Sequence, residues 1–263
     1  MKKIAYWHVY LTEDVGSWAG IVMEQLGVME RSGLLRALDD LRVTCIHRNW
    51  SEAKMFTGIL EHARPQSFIS FVGNPFASDQ EMLENISSPN AVTEGTTLFK
   101  LYLKAQIEEF QQEEAHLLYF HTKGITADER FLKSGNFEEY KKYYYWRQML
   151  NWSVLDRWSI CTAALQDGYD IAGANFQREP YPHYSGGFYW TKSSHVKKLP
   201  DPLKVGWWKE LQSKATDPWL KTAPERFRNE MWITQTKDYT ALCLASGTDN
   251  PASKFVSNSE YYR

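Results

Sequence analysis

The run Leu117-Leu118-Tyr119-Phe120-His121-Thr122-Lys123-Gly124 places three polar side chains and a glycine at the end of an apolar segment. That combination suits an anion. Lysine supplies a point positive charge for phosphate, threonine and histidine add hydrogen-bonding groups, and glycine lets the backbone approach a ligand. Standing alone, such a stretch is as readily a solvated strand-to-loop turn. A second constellation is Pro182-His183-Tyr184-Ser185-Gly186-Gly187-Phe188-Tyr189-Trp190. Paired glycines before an aromatic strand permit a sharp turn or a close backbone approach. His183 is suited to phosphate, to an acceptor hydroxyl or to capping the turn. Tyr189 and Trp190 point to opposite faces of a strand, so at most one meets a cleft. The third is Arg228-Asn229-Glu230-Met231-Trp232-Ile233, a carboxylate near a helix start. The helix dipole keeps Glu230 ionised and able to act as a base, although an ordinary N-terminal helix charge reads the same way and is commoner. No metal-ligand set is apparent: His116 and His121 flank one strand with no partner beside them. Dinucleotide, P-loop, nucleophile-elbow and zinc-protease signatures are all missing.

These residues need a scaffold, and the pattern supplies one. Strands are expected over 4–10, 41–46, 67–72, 115–120, 169–174 and 188–191, where short apolar runs end at polar or turn residues. Helices are expected over 18–38, with a break at Ser32-Gly33, and over 51–63 and 96–109, where apolar residues recur at helical spacing. Residues 137–165 read as helical and aromatic-rich. Residues 200–224, with their prolines and tryptophans, read as an irregular lid or surface segment. The alternation predicts an α/β chain with a mostly parallel central sheet flanked by helices. It forms a single domain over 1–247 with an aromatic-rich helical insertion, followed by a tail over 248–263. In such sheets ligands bind beyond the carboxyl ends of the strands.

Composition narrows the partners. The 263 residues carry a net charge of -2, which offers no general drive toward nucleic acid. Aromatic residues make up 15%, with 11 Trp, and can fill a core or stack on sugars and bases. Cys45, Cys161 and Cys243 are few and far apart, which argues against a disulfide framework. No stretch is long and apolar enough for a signal peptide or a membrane span. The simplest reading is a cytoplasmic protein, with peripheral membrane attachment left open.

Taken in order, several segments resemble the GT-A-fold glycosyltransferases of bacterial and viral polysaccharide biosynthesis. They are Trp18-Ala19-Gly20-Ile21-Val22-Met23-Glu24-Gln25-Leu26, Ser32-Gly33-Leu34, Thr97-Leu98, Tyr119 to Gly124, Trp146-Arg147-Gln148-Met149, Gly168 to Asn175, His183 to Trp190, Leu199-Pro200 and Arg228 to Ile233. The resemblance implies a Rossmann-like GT-A fold. It also implies transfer of a sugar, with inversion, from a UDP- or GDP-sugar to a hydroxyl of a glycan acceptor, in surface polysaccharide synthesis. The family's Asp-x-Asp metal motif is replaced here by His121-Thr122-Lys123, which puts a divalent metal in question. On this reading the loop after the first strand, including Tyr10 and Trp18, contacts the base, and His121, Thr122, Lys123 and Gly124 hold the diphosphate. His183, Ser185, Gly186, Gly187 and Trp190 shape the sugar and acceptor pocket, and Glu230 deprotonates the acceptor if the reaction inverts or only orients the sugar if it retains. The competing reading is a carbohydrate-binding or scaffolding protein that keeps such a fold without turnover.

Overall fold

The computed structural model describes residues 1–12, 14–65, 67–73, 94–107 and 113–245, with the backbone alone at 126–129 and 226. The expected tail over 248–263 and the stretch bracketed by Pro75 and Pro89 lie outside the described residues.

Strand β1 (Lys2–Tyr10) is buried from Ile4 onward because it is covered on both faces. It pairs in parallel with β2 (Asp40–His47) and with β4 (Ala115–His121), and β3 (Phe68–Gly73) extends the sheet beyond β2. On the other side β8 (Tyr189–Lys192) runs antiparallel to both β4 and β5 (Ile171–Gly173), and β9 (Ala241–Cys243) lies parallel to β5 at the edge. The seven-stranded order is β3-β2-β1-β4-β8-β5-β9. A separate hairpin joins β6 (Phe176–Gln177) and β7 (His183–Tyr184). The mostly parallel α/β architecture read from the sequence is therefore what the chain forms, with one antiparallel strand that the sequence did not signal.

That reversal decides what meets what. A parallel β8 would begin at the far edge of the sheet. Running antiparallel, it begins beside the carboxyl end of β4, so the turn before it lands next to His121.

The two sheet faces differ in chemistry. Trp7, Val9, Val43, Cys45, Leu118, Phe120 and Trp190 form an apolar face under α1 (Val15–Arg31), α3 (Trp50–Ala63), α6 (Phe137–Asn151) and α7 (Trp158–Gln166). Asp14 caps α1, its carboxylate accepting from the Gly16 amide at 3.1 Å. The helix ends at Ser32, Gly33 takes φ +77°, and the short α2 (Leu34–Ala37) restarts the chain, as the Ser32-Gly33 break predicts. The opposite face begins apolar, with Ile4 and Leu117 packed on Leu98 and Leu101 of α4 (Gly95–Gln106). It then turns polar toward its carboxyl edge. Tyr6, Tyr119 and Tyr189 stand side by side in register, and His8 pairs with His121 one step further on.

Residues 200–224 are not irregular. They form α9 (Gly206–Lys214) and α10 (Pro218–Thr222), after the single-turn α8 (Ser193–Val196). Trp208, Leu220 and Ala223 make a small core of their own with Met231 of α11 (Arg228–Met231). The missed signals were Asp217 as a cap and Pro218 in the first turn, where proline's fixed φ suits a helix. This core anchors the turn that carries Glu230. Between β4 and α6 the chain adds α5 (Ile125–Ser134), also unread in the sequence.

Packing is tightest at Gly173. A Cβ there would lie 2.7 Å from the Phe188 carbonyl oxygen and 2.9 Å from two ring carbons of Tyr184. Neither backbone nor buried ring can yield, so Gly173→Ala should destabilise the fold by about 1–3 kcal/mol. Denaturant unfolding checks this, and an unchanged midpoint would show that β5 and the β7 ring can part.

Candidate functional site

The first anchor is the carboxyl end of β4. Thr122 donates its amide to the His8 carbonyl at 3.1 Å and accepts the Tyr10 amide on Oγ1 at 3.1 Å, so it ties β4 to β1. From the helix side, Gln25 donates to the His121 carbonyl at 2.9 Å and Arg147 to the Lys123 carbonyl at 3.3 Å. Glu24 holds Arg147 at 3.2 Å and Asn151 at 2.7 Å. Glu24-Gln25 and Trp146-Arg147 thus fix the backbone of the phosphate-binding candidate from two helices. Gly124 takes φ +83° and opens α5 without a side-chain cap, so the first amides of that helix point out beside Lys123.

Lys123 is the centre of charge. Its Nζ lies 3.4 Å from Glu230 Oε1 and 4.3 Å from the centroid of the Trp146 ring, with its side chain largely buried. Glu230 also accepts the Gly186 amide on Oε2 at 3.3 Å. Burial pushes the Glu230 carboxyl upward, but Lys123, His183, the Gly186 amide and His121 together outweigh it and hold the group below its usual range. Glu230 is therefore a carboxylate across the neutral range.

A second carboxyl, missed in the sequence, completes the cluster. Glu94 at the start of α4 places Oε1 3.4 Å from His121 Nδ1. Burial raises its pKa, opposed by Lys123 and His8 and reinforced by Glu230. His121 Nε2 lies 2.8 Å from the Gly186 carbonyl, which can only accept, so Nε2 carries the proton and Nδ1 is bare. The Glu94–His121 contact thus joins a neutral imidazole to a carboxyl pushed toward its protonated form. It is not an ion pair. Tyr119 lies against Glu94 and its phenol is pushed upward, first by burial and then by that carboxyl.

Burial lowers His8 from 6.5 to about 4 and His121 from 6.5 to about 3, with Glu94 opposing at His8 and Lys123 adding at His121. His8 Nδ1 meets Thr97 Oγ1 at 2.9 Å. The folded chain keeps both rings neutral, whereas the unfolded chain protonates them as pH drops through about 6.5. Their contribution is thus complete above 6.5 and is lost as pH falls toward about 4. Denaturation midpoints measured from about pH 8 to about pH 5 should fall below the histidine range, and His8→Gln should flatten the fall.

Of the residues singled out from the sequence, the fold brings together His121, Lys123, Gly124, Gly186, Gly187 and Glu230, with His183 adding its field at Glu230. Gly186 and Gly187 take φ +94° and +71°, and a Cβ on Gly187 would sit 3.6 Å from His121 Nε2. Ser185 is half-buried and gives its amide to the Asn175 carbonyl. Three expected contacts fail. Trp18 is fully buried on α1 beside Ile21 and Val22, not on a loop, and offers no face to a base. Tyr10 is buried in the same apolar core. Trp190 packs into that core and donates to the Val154 carbonyl at 2.9 Å, so its neighbour Tyr189 is the one that faces the site. Thr122 stands beside His121 and Lys123, buried, with its hydroxyl oxygen accepting the Tyr10 amide.

Lys123 lies 3.4 Å from Glu230 and its charge also acts on Glu94, and among the described residues no three His, Cys, Asp or Glu side chains gather to hold an ion. Among the described residues no helix is long and apolar enough to cross a membrane.

A family model described as "Domain of unknown function (DUF8361)" matches residues 6–241. No curated protein matches the sequence. Among solved structures, a 4-diphosphocytidyl-2C-methyl-D-erythritol synthase is similar at 12% identity and a TM-score of 0.42, over 99% of this chain and 95% of its own. A synthase of the same description from Anaerococcus prevotii DSM 20548 is similar at 8% identity and a TM-score of 0.35, again over 99% and 95%. Likenesses this distant assign no activity.

Proposed function

We propose that this chain, which belongs to the DUF8361 family, transfers a sugar from a nucleotide-diphosphate sugar to a hydroxyl of a glycan or other acceptor. The observation that carries the reading is Lys123, held 3.4 Å from Glu230 and stacked on Trp146 at the carboxyl edge of the sheet. The GT-A resemblance adds the donor class. The same resemblance supplies the setting, surface polysaccharide synthesis.

The chemistry follows from the charges. An arriving diphosphate competes with Glu230 for Lys123, and the uncapped start of α5 adds favourable amide dipoles. As Lys123 turns to the phosphates, Glu230 loses the largest of the influences that lower its pKa and becomes a stronger base. The acceptor oxygen bonds to the anomeric carbon while the bond from that carbon to the diphosphate oxygen breaks. The nucleoside diphosphate leaves with the electron pair, its charge met by Lys123. In an inverting reaction the acceptor proton passes to Glu230.

The test is a panel of UDP- and GDP-sugars followed by thermal stabilisation, with and without magnesium or manganese, and then by transfer to glycan acceptors. A ligand that binds only the folded state raises the melting temperature. At least one nucleotide-sugar should do so without a divalent ion. Stabilisation that needs the ion would contradict the role given to Lys123, and silence across the panel would sink the transfer reading.

A further inference from the structure

The carboxyl edge of the sheet carries a second group of side chains, two strands from Lys123. Trp50 opens α3 and is 63% exposed, one of the most open large apolar side chains in the described chain. Its ring centroid lies 4.7 Å from that of His47, at the end of β2, and 5.8 Å from that of Phe71 on β3. His47 and Phe71 are themselves 5.8 Å apart, edge to face. A lone exposed tryptophan needs no explanation. Here three rings touch and one face stays open.

Buried polar atoms beside the rings are the second observation. His47 is only 5% exposed, yet its Nδ1 has no hydrogen-bond partner among the described residues. Glu52 accepts from Asn49 on Oε1 at 2.8 Å, while its Oε2 is buried and likewise without a partner among the described residues. Its carboxyl acts on Cys45 of β2, so it faces the strand end rather than open solvent. An apolar face with unspent hydrogen-bonding groups at its margin fits a flat heteroaromatic ring with polar edges. It does not fit an aliphatic side chain or a lipid.

From these contacts we infer that Trp50, with His47 and Phe71 beneath it, is the stacking platform for the base of a nucleoside diphosphate. The inference rests on the transfer reading and deepens it, because it assigns the base to residues other than Tyr10 and Trp18. The topology gives the spacing. Only β1 separates β2 from β4, so the platform and Lys123 lie about two strand spacings apart, roughly 10 Å. A ribose joins base to diphosphate across such a span. The ring would lie over Trp50, and the phosphates would reach Lys123 and the start of α5.

The experiment is calorimetric titration of the full chain with UDP, GDP, CDP, ADP and inorganic pyrophosphate, using wild type, Trp50→Ala and Trp50→Phe. Trp50 is exposed, so its removal spares the core. Circular dichroism and the unfolding midpoint verify this. The wild type should bind at least one nucleoside diphosphate more tightly than pyrophosphate. Trp50→Ala should lose about ten- to a hundredfold of that affinity, with pyrophosphate binding unchanged, and Trp50→Phe should recover most of it. Equal nucleotide affinity in wild type and Trp50→Ala overturns the platform and leaves the transfer reading standing. Parallel loss of nucleotide and pyrophosphate binding also overturns it, since the base is then not what Trp50 holds. A wild type that binds no nucleoside diphosphate overturns the transfer reading itself, and the platform with it.

Discussion

Lys123→Ala should abolish most transfer while leaving the chain folded. Charge develops on the leaving diphosphate as the glycosidic bond breaks, and on the proposed reading Lys123, held 3.4 Å from Glu230, is the cation that meets it. Loss of one such preorganised group costs about 10²–10³ in turnover. The lysine also sits in a partly dry setting over Trp146, where its charge acts more strongly than in water. Removing it has a second consequence. Lys123 lowers the pKa of both Glu230 and Glu94, so the variant should take up protons at a pH where the wild type does not. Some stability should go too, because Glu230 keeps only the Gly186 amide and the weaker fields of the nearby histidines. Lys123→Arg keeps the charge on a flatter, bulkier group and should restore binding better than turnover. The rates are read with whichever nucleotide-sugar stabilises the wild type. An unimpaired Lys123→Ala enzyme would remove the lysine from the mechanism.

Why the sequence revealed Lys123 but not Glu94 is a matter of distance along the chain. The strand Ala115–His121 announces itself because it is buried on both faces and ends abruptly in polar residues. Gly186-Gly187 and Glu230 are legible for similar reasons, as a glycine pair before a strand and a carboxylate at a helix start. Glu94 is an ordinary charge before a helix until the fold lays α4 across β1 and β2 and brings Glu94 to His121. Trp190 shows a different limit. Alternation says that Tyr189 and Trp190 face opposite ways, but both are buried aromatics, so composition cannot set the phase. The pairing of Leu118 with Trp190 and of Tyr119 with Tyr189 sets it. Trp18 shows a third. Its nearness to the first strand end suggested a loop contact, whereas its spacing to Ile21, Val22 and Gln25 is that of a buried helical stripe. Local pattern marked six of the strands but not the short β6, β7 and β9, and the partner strand then decided which side of each meets the site.

Glu230→Gln should separate binding from chemistry. The amide is nearly the same shape and its oxygen can still accept from the Gly186 amide, so the turn before β8 keeps its support. What disappears is the charge. Lys123 no longer has that anionic partner at 3.4 Å, and an incoming diphosphate has one less carboxylate to displace. Affinity for the nucleoside diphosphate should therefore hold or improve. Transfer should fall by about 10²–10⁴, the range expected when a positioned base is lost. A merely structural carboxylate would give the opposite pattern, with weaker binding and a lower unfolding midpoint in step with the lost activity. The pH profile adds a check that packing alone cannot imitate. The acid limb of the wild-type rate reports protonation of Glu230 in the donor complex, and that limb should vanish from whatever residual rate the glutamine variant retains. Single-turnover transfer and calorimetry on one preparation decide between these outcomes. Full activity with intact binding would mean that the acceptor proton leaves by another route, and Glu94, a second carboxyl beside His121, would be the group positioned to take it.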